Sequence, residues 1–474
     1  MRALAVIAAA LLMGSGSVWA APGALDVSFG KAKDGTPDGV VNISLGNGND
    51  GANAAVLQKD GKLVVVGYST STGGKTSNII VLRLNKDGTL DKSFGVGQDD
   101  GSPDGVVSID LGDSADAAAA IALQADGKIV IAGSRMSKTS DIVLARLLPN
   151  GKFDTSFGKG DADGTPDGVV SISLSDGDDV ANALALQKDG KIVVAGTTLA
   201  ADKSTNMAVA RLKADGSFDS AFGKGDADGT PDGVVSVSLS RGNDAANAIA
   251  LQADGKIVIA GTATAQDKST NIAVARLTTD GSMDVSFGVG TADGTPDGVV
   301  AVSLSDGNDV AKAVAVHKSF IYVAGDYIAK DGSTNVAVAR MKADGALDVS
   351  FGKDGSDSTP EGVSGVSFGN GNDHVHSLAI QPDGQLLVLA GTTSAADKSS
   401  NIAVARMKAD GTLDRRFGAG QDDGTPDGVV GLSLGAGDDV AKAVVLQADG
   451  KIVVVGDRVN GASSDIVVVR LNGK

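Results

Sequence analysis

The sequence predicts an all-β protein, a seven-bladed β-propeller with four-stranded antiparallel blades and a Velcro closure between the N-terminal strand and the C-terminal strands. Three observations support this fold: a long internal repeat, four strand-like segments in each repeat, and an incomplete repeat at each end of the chain. Seven phenylalanines lie in (S/A/R)FG triplets at spacings of 65, 63, 65, 65, 64 and 66 residues. Because a period this long holds several strands, it indicates propeller blades rather than the short rungs of a β-helix. The seven are Phe29, Phe94, Phe157, Phe222, Phe287, Phe351 and Phe417.

The four segments of one repeat are best seen around Phe222. We assign strand A to residues 243–252, strand B to 255–262, strand C to 271–277 and strand D to 297–304. Both faces of strand C are largely apolar, which is typical of a sheet packed between two neighbours. Strand A is rich in alanine, so we place it innermost, where the blades converge and only small side chains fit.

The two chain ends predict how the ring closes. The chain begins with an SFG turn and a strand D at residues 40–45, and it ends after a strand C at residues 465–471. Joining the two ends completes a seventh four-stranded sheet and leaves no unpaired blade.

A repeated arginine in strand C supports the same closure. Six of these arginines are followed eight residues later by an aspartate, but Arg470 is not, because the chain stops at Lys474. The unmatched aspartate is Asp26, at the other end of the chain. We therefore predict one Arg–Asp pair in every blade, with Asp26 serving Arg470. A pair that recurs in every unit is typical of a structural salt bridge rather than of an active site.

Residues 1–20 have the pattern of a secretory signal peptide: one basic residue, an apolar run, and small residues before Ala21. We expect a single propeller domain over residues 21–474, exported to the periplasm, the cell surface or the medium. The apolar run is too short to span a bilayer, and no later segment is apolar over the length that a transmembrane helix needs. The chain has no cysteine, so no disulfide framework is expected. Its net charge of −17 argues against nucleic acid and anionic lipid as partners.

The segment "LQADGKIVIAG", followed by "NIAVARL" and a "DGSMDVSFG" turn, resembles the delta-60 repeat of bacterial exported proteins over nearly all of residues 22–474. The resemblance implies a propeller scaffold but no common reaction or catalytic residue. Two units depart from the pattern, the fifth at residues 316–325 and the sixth at residues 358–362. We expect a specialised local feature in those two blades.

The acidic loops before strand D are candidate calcium sites. Two of them place carboxylates at positions i, i+2 and i+6 around a glycine, a plausible start for an oxygen-lined loop. The alternative is that each Thr-Pro-Asp-Gly sequence forms a turn that leads into strand D. The proline occurs in all seven copies and the extra acids do not, which favours the turn. The candidate calcium ligands are Asp161, Asp163, Asp167, Asp226, Asp228 and Asp232.

Two further groups of residues are candidate ligand sites. Tyr68 and Tyr327 lie in the variable B–C loops, where they could stack on a sugar ring or anchor a protein. One equivalent position in strand A forms a candidate channel ring with mixed polar side chains. The ring residues are Asn53, Asn182, Asn247, Lys312, His376 and Lys442.

These observations favour an exported, non-catalytic propeller that binds a protein or a polysaccharide and is monomeric. Only three histidines are present, and no Ser–His–Asp or Cys–His set repeats. A propeller hydrolase or lyase with its site at the central channel is the alternative enzyme class, and a structural cell-envelope component is a third possibility. No cofactor other than calcium is indicated.

Overall fold

The computed structural model describes residues 21–30, 39–71, 73–95, 105–112, 114–159, 165, 167–224, 232–288, 298–352, 360–419 and 427–474. Residues 1–20 and most residues of the acidic loops lie outside these ranges. Every regular element within them is a β-strand. In this part of the chain, no helix has the length and apolar character needed to cross a membrane.

The strands follow one another with the period expected from the repeat. In chain order they are β1 (Val40–Ile43), β2 (Asp50–Leu57), β3 (Leu63–Thr70), β4 (Ser77–Leu84), β5 (Val106–Ile109), β6 (Ala115–Leu123), β7 (Ile129–Met136), β8 (Ser140–Leu147), β9 (Val169–Ile172), β10 (Asp179–Leu186), β11 (Ile192–Leu199), β12 (Thr205–Leu212), β13 (Val234–Val237), β14 (Ala245–Leu251), β15 (Ile257–Thr264), β16 (Thr270–Leu277), β17 (Val299–Val302), β18 (Val310–His317), β19 (Phe320–Ile328), β20 (Thr334–Met341), β21 (Val363–Val366), β22 (Asp373–Ile380), β23 (Leu386–Ser394), β24 (Ser400–Lys408), β25 (Val429–Leu432), β26 (Asp439–Leu446), β27 (Ile452–Asn460) and β28 (Ser463–Leu471).

Four antiparallel strands form each blade, in the order A, B, C, D. Blade 1 is β2–β5, and the next five blades follow in steps of four strands up to blade 6, β22–β25. Blade 7 consists of β26–β28 and β1. The A strands of neighbouring blades contact one another around the whole set, so they form the inner wall of the propeller. The fold class predicted from the sequence is therefore confirmed.

The N-terminal strand completes the last sheet. In β1, Val40 pairs with Val469 of β28 and Ile43 pairs with Ile466, in antiparallel register. A hydrophobic cluster then joins blade 7 to blade 1, with Val455 and Val468 on one side and Leu82 on the other. Six similar clusters join the other neighbouring blades. Burial of aliphatic side chains between adjacent blades is thus the main source of stability, since burying one such side chain contributes about 1.5–3 kcal/mol.

The glycine in the middle of strand B shows how closely strands A and B approach. A Cβ atom added to Gly261 would lie 1.8 Å from the carbonyl oxygen of Ala245, on the paired strand. The same close contact occurs at the corresponding glycine of every blade, from Gly67 to Gly456. The repeated glycine is therefore required by space and not by an unusual backbone conformation.

The strand-C arginines lie in a repeated, buried arrangement. At the closure, Nε of Arg470 donates to Oδ2 of Asp26 at 2.6 Å, and the guanidinium group lies 4.4 Å from the centre of the Phe29 ring. Arg470 also donates to the carbonyl of Lys86 in the next blade. Burial opposes the charge on Asp26, but hydrogen bonds from Lys451 and Ser28 and the charge of Arg470 outweigh it and lower the pKa of this carboxyl group.

The same Arg–Asp contact occurs in the other six blades. In five blades a lysine joins the pair, and in blade 5 Phe320 takes its place, with its ring 4.8 Å from the guanidinium group of Arg340. Each pair holds a C–D turn to its own strand C and to the next blade. This is a structural role.

The two departures from the repeat lie on one sheet. Residues 316–325 span the turn between β18 and β19, and residues 360–362 lead into β21, all within blade 5. The expectation that they mark two blades is wrong, because a unit counted from its SFG triplet contributes its strand D to the preceding sheet. At the shortened turn of blade 5, Lys318 adopts a positive φ of 54°.

Candidate functional site

Every strand A contains a β-bulge at the same position, and the bulge residue lies on the inner wall. A bulge adds one residue to a strand and turns its side chain out of the regular alternation. All six residues of the predicted channel ring occupy this position, and blade 2 has an alanine there. In blade order the bulge residues are Asn53, Ala119, Asn182, Asn247, Lys312, His376 and Lys442.

The three asparagines connect adjacent blades. Nδ2 of Asn247 donates to the carbonyl of Ala311 in blade 5 at 2.8 Å, and Asn53 and Asn182 make the same contact with their own neighbours. Each acceptor is the residue before the next bulge. These three ring residues therefore have a structural role as inter-blade hydrogen bonds.

Blades 5, 6 and 7 carry ionisable side chains in place of the asparagine. We call Lys312, His376 and Lys442 the channel arc. No corresponding inter-blade hydrogen bond is present for these three within the described ranges, and neither lysine has a carboxylate within 4 Å there. All three residues are partly buried. The arc is thus a contiguous, asymmetric feature on an otherwise regular wall.

Two aspartates in strand B lie beside the arc. In blade 7, Oδ1 of Asp457 accepts a hydrogen bond of 2.8 Å from the backbone N–H of Ala52, next to the bulge of blade 1. In blade 5, Oδ1 of Asp326 accepts one of 2.8 Å from Val375, next to the bulge of blade 6. Because a bulge interrupts the ladder, an adjacent N–H needs another acceptor, and these carboxylates provide it.

The electrostatics of this region are strongly perturbed. Burial and the charges of Lys442 and Lys312 lower the pKa of His376 to about 3, so the imidazole is neutral at pH 7. Burial raises the pKa of Asp457 to about 6, against the opposing effects of Lys442 and the Ala52 N–H. A hydrogen bond with Asp326, whose Oδ2 lies 3.0 Å from Nδ1 of His374, raises the pKa of that histidine.

Sequence reasoning did not identify Asp326, Asp457 or His374 as part of the site. A signal for the two aspartates is present: the residue after the strand-B glycine is Asp in blades 5 and 7, and Tyr, Ser or Thr in the others. That the two aspartates belong to the site becomes clear only in the structure, where each strand-B side chain contacts the next blade. His374 lies two residues before the bulge residue His376 and contacts Asp326.

The two candidate tyrosines are not brought together. Tyr68 lies within strand β3 of blade 1 rather than in the B–C loop, and its ring covers Gly51. Burial and the nearby charge of Asp457 raise its pKa. Tyr327 is in blade 5, packs against the cluster between blades 4 and 5, and lines a cleft of about 990 Å³. Blades 1 and 5 are not neighbours, so the two rings do not form one ligand surface.

The predicted calcium ligands fall mostly outside the described residues. Only Asp167 and Asp232 are described, and Asp161, Asp163, Asp226 and Asp228 are not. Within the described ranges, no three His, Cys, Asp or Glu side chains are grouped as a metal site. The calcium proposal therefore depends on the sequence alone, and melting curves in calcium, magnesium and EDTA test it.

The opposite end of the inner wall has a different character. Two cavities of about 800 Å³ each lie there, lined by the ends of A strands and by A–B turns, including Gln187 and Lys188. His317 occupies the position of that glutamine in blade 5 and packs against Gly384 of blade 6. This end repeats similar side chains in most blades, so it lacks the asymmetry of the channel arc.

Several solved structures are similar to this chain. Drosophila Semaphorin 2a is similar at 10% identity over 91% of this chain and 75% of that chain, with a TM-score of 0.50. The WD40 β-propeller domain of Doa1 is similar at 10% identity over 91% of this chain and 97% of that chain, with a TM-score of 0.39. A glucose dehydrogenase matches at 12% identity over 74% and 96% of the two chains, with a TM-score of 0.40. At these identities the likeness concerns the fold alone. No curated protein sequence matches the chain.

A family profile matches seven times, once in each blade. The matched segments are residues 58–94, 124–157, 187–222, 252–287, 321–351, 381–417 and 447–473. Together they cover half of the sequence and lie mainly on strands B and C of each blade. The chain therefore belongs to the family described as the domain of unknown function (DUF5122) beta-propeller.

Proposed function

We propose that this protein is an exported, non-catalytic β-propeller that binds a polysaccharide or a protein at the channel mouth formed by the B–C and D–A loops. The observation that carries this proposal is the location of the channel arc. The bulge residues lie in the first half of strand A, and Asp326 and Asp457 lie in the second half of strand B. Both positions are nearer the B–C and D–A loops than the A–B turns.

The contrast between repeated and variable features supports a binding role. The Arg–Asp pairs, the strand-B glycines and the asparagine contacts recur and are engaged in structural contacts. The B–C loops differ in length, with residues 137–139 in blade 2, 200–204 in blade 3 and only 461–462 in blade 7. A rigid scaffold with variable loops at one end is typical of binding proteins.

Export is the second part of the proposal. It is supported by the signal-peptide pattern of residues 1–20 and by the resemblance of the repeats to delta-60 units of bacterial exported proteins. N-terminal sequencing of the protein from the periplasm or the medium tests it, and Ala21 is the expected first residue. An intact Met1 would contradict export by this signal.

A binding assay tests the proposed function. The purified protein would be applied to immobilised neutral and acidic polysaccharides, together with the variant Lys312→Gln/Lys442→Gln and the control Lys188→Gln at the opposite end of the wall. We expect saturable binding that the arc variant weakens and the control does not. Equal binding by all three proteins would place the ligand elsewhere, and the absence of binding to any polysaccharide would restrict the proposal to protein partners.

The perturbed pKa values of His376 and Asp457 favour one alternative, a propeller hydrolase or lyase with its site at the channel. Strongly shifted ionisable groups in a recess are frequent in active sites. The same polysaccharides would be incubated with the protein and analysed for new reducing ends and unsaturated products. Turnover that His376→Asn or Asp457→Asn abolishes would establish the enzyme, whereas binding without product supports the scaffold.

A further inference from the structure

We infer that the channel arc binds a carboxylate group of the ligand, with Lys312 and Lys442 attracting its two oxygens and His376 donating a hydrogen bond between them. This inference rests on the proposed binding function and names the chemical group that the ligand presents. The group could come from a free sugar acid or from an acidic sugar within a polysaccharide. The three residues belong to consecutive blades, on A strands that contact one another.

The first argument is the unpaired charge of the two lysines. The buried cations of the repeat, the strand-C arginines, each have an aspartate in contact. Lys312 and Lys442 have no such partner within 4 Å in the described part of the chain, although both lie close enough to His376 to act on its ionisation. Two like charges on a partly buried wall repel each other, and an anion between them removes that repulsion.

The second argument is that the neighbouring acids are engaged elsewhere. Oδ1 of Asp326 accepts a hydrogen bond from the Val375 N–H, and its Oδ2 lies 3.0 Å from Nδ1 of His374. Asp457 accepts one from Ala52 and attracts Lys442 without reaching it within 4 Å. Each carboxylate is held by a bulge of the next blade, so neither can move between the lysines without leaving a backbone N–H unsatisfied.

The third argument concerns the charge of the ligand. The two lysines contribute +2 and ionised Asp457 contributes −1, while Asp326 is already in contact with His374. A single negative charge neutralises the remainder, which matches a carboxylate better than a doubly charged phosphate. His376 is neutral in this setting, so its imidazole supplies one N–H without adding a third positive charge.

Binding of defined probes tests the inference. Calorimetric titrations would use galacturonate, trigalacturonate and neutral galactotriose with the wild-type protein, with Lys312→Gln, Lys442→Gln and the double variant, and with the control Lys188→Gln. We expect both acidic probes to bind, a loss of about tenfold or more for each arc lysine, and wild-type affinity for the control. Melting curves of all variants verify that each is folded.

The histidines provide a second readout that does not depend on variants. The chain has only three, so their ring C–H signals can be followed individually by NMR after assignment with single His→Asn variants. Galacturonate is expected to shift the signal of His376 and to leave that of His317, at the opposite end of the wall, unchanged.

The outcomes separate this inference from the proposed function. Binding of trigalacturonate but not of galacturonate would indicate that the carboxylate is recognised only within a polymer. In that case the arc variants must still weaken the binding of trigalacturonate. Unchanged affinity in the double variant, or an unshifted His376 signal at saturation, would overturn the inference while leaving a binding function intact. Binding of galactotriose as tight as that of trigalacturonate would also overturn it, because no charged group would then be needed.

Discussion

Removal of the Arg470 side chain tests the closure of the propeller most directly. Arg470 and Asp26 are separated by 444 residues in sequence, but their side chains are in contact and only 5% and 6% exposed. Substitution by alanine removes the ion pair, the hydrogen bonds to Ser28 and Lys86, and the stacking on Phe29. Breaking a buried pair by removing one partner destabilises a protein by about 3–5 kcal/mol.

The lower end of that range applies here. Asp26 keeps a hydrogen bond of 2.6 Å from Lys451 and another from Ser28, so its charge is not left unpaired. The unfolding entropy of a domain this long is about 1 kcal/mol per kelvin, at about 2.1 cal/mol per kelvin for each residue. A loss of about 3 kcal/mol therefore corresponds to a decrease of about 3 °C in Tm.

The assay is thermal unfolding followed by far-ultraviolet circular dichroism. Arg211→Ala in blade 3 is the matched control, because Arg211 makes the same contacts with Asp219 and Phe222 within a continuous sheet. We expect similar decreases in Tm for both variants. Only Arg470→Ala should also increase proteolytic cleavage near Asp26, since that segment is held at the closure. A Tm for Arg470→Ala within 1 °C of the wild-type value, with no change in cleavage, would falsify the reasoning.

Three further predictions concern other parts of the molecule. Gly261→Ala should lower Tm by more than 5 °C or prevent folding because no space exists for a Cβ atom, whereas Gly46→Ala, with no atom within 4 Å of the added group, should melt like wild type. Because burial raises the pKa of Asp457 to about 6, the free energy of unfolding of the wild type should fall by about 2 kcal/mol relative to Asp457→Asn as pH rises from 4 to 7. Urea unfolding at the two pH values measures this, and a constant difference would contradict it. Asn247→Ala should lower the free energy of unfolding by about 1 kcal/mol through loss of an inter-blade hydrogen bond, and Ala119→Asn should raise it by a similar amount; no change in either would argue against a stabilising role for that contact.

Most of the fold was predictable because the repeat presents the same information seven times. The period, the apolar strand segments and the incomplete ends together specify blades and the pairing of β1 with β28. Strand bounds were less accurate: strand D was predicted over residues 297–304, but β17 is only Val299–Val302. Four residues pair with β16, and the chain then turns toward the next strand A.

The candidate site was predictable only as a set of equivalent positions. Alignment of the units places Asn53 and Lys312 at the same point of strand A, but their different roles depend on contacts across blades. The asparagine reaches the carbonyl of the next blade, whereas among the described residues the lysine makes no such contact and acts on His376 through its charge. Contacts of this kind join residues more than 60 positions apart, so a local sequence pattern does not predict them.

The sequence by itself determined the architecture of this protein, since its repeated strands cannot bury their two apolar faces except against further copies of the same unit. It also determined which type of side chain occupies each equivalent position of the repeat. Only the tertiary structure decided which of these positions make inter-blade hydrogen bonds. The physical reason is that burial, neighbouring charge and hydrogen-bond partners come from the adjacent blades. These set the neutral state of His376, and in the described part of the chain they leave each arc lysine without a carboxylate within 4 Å.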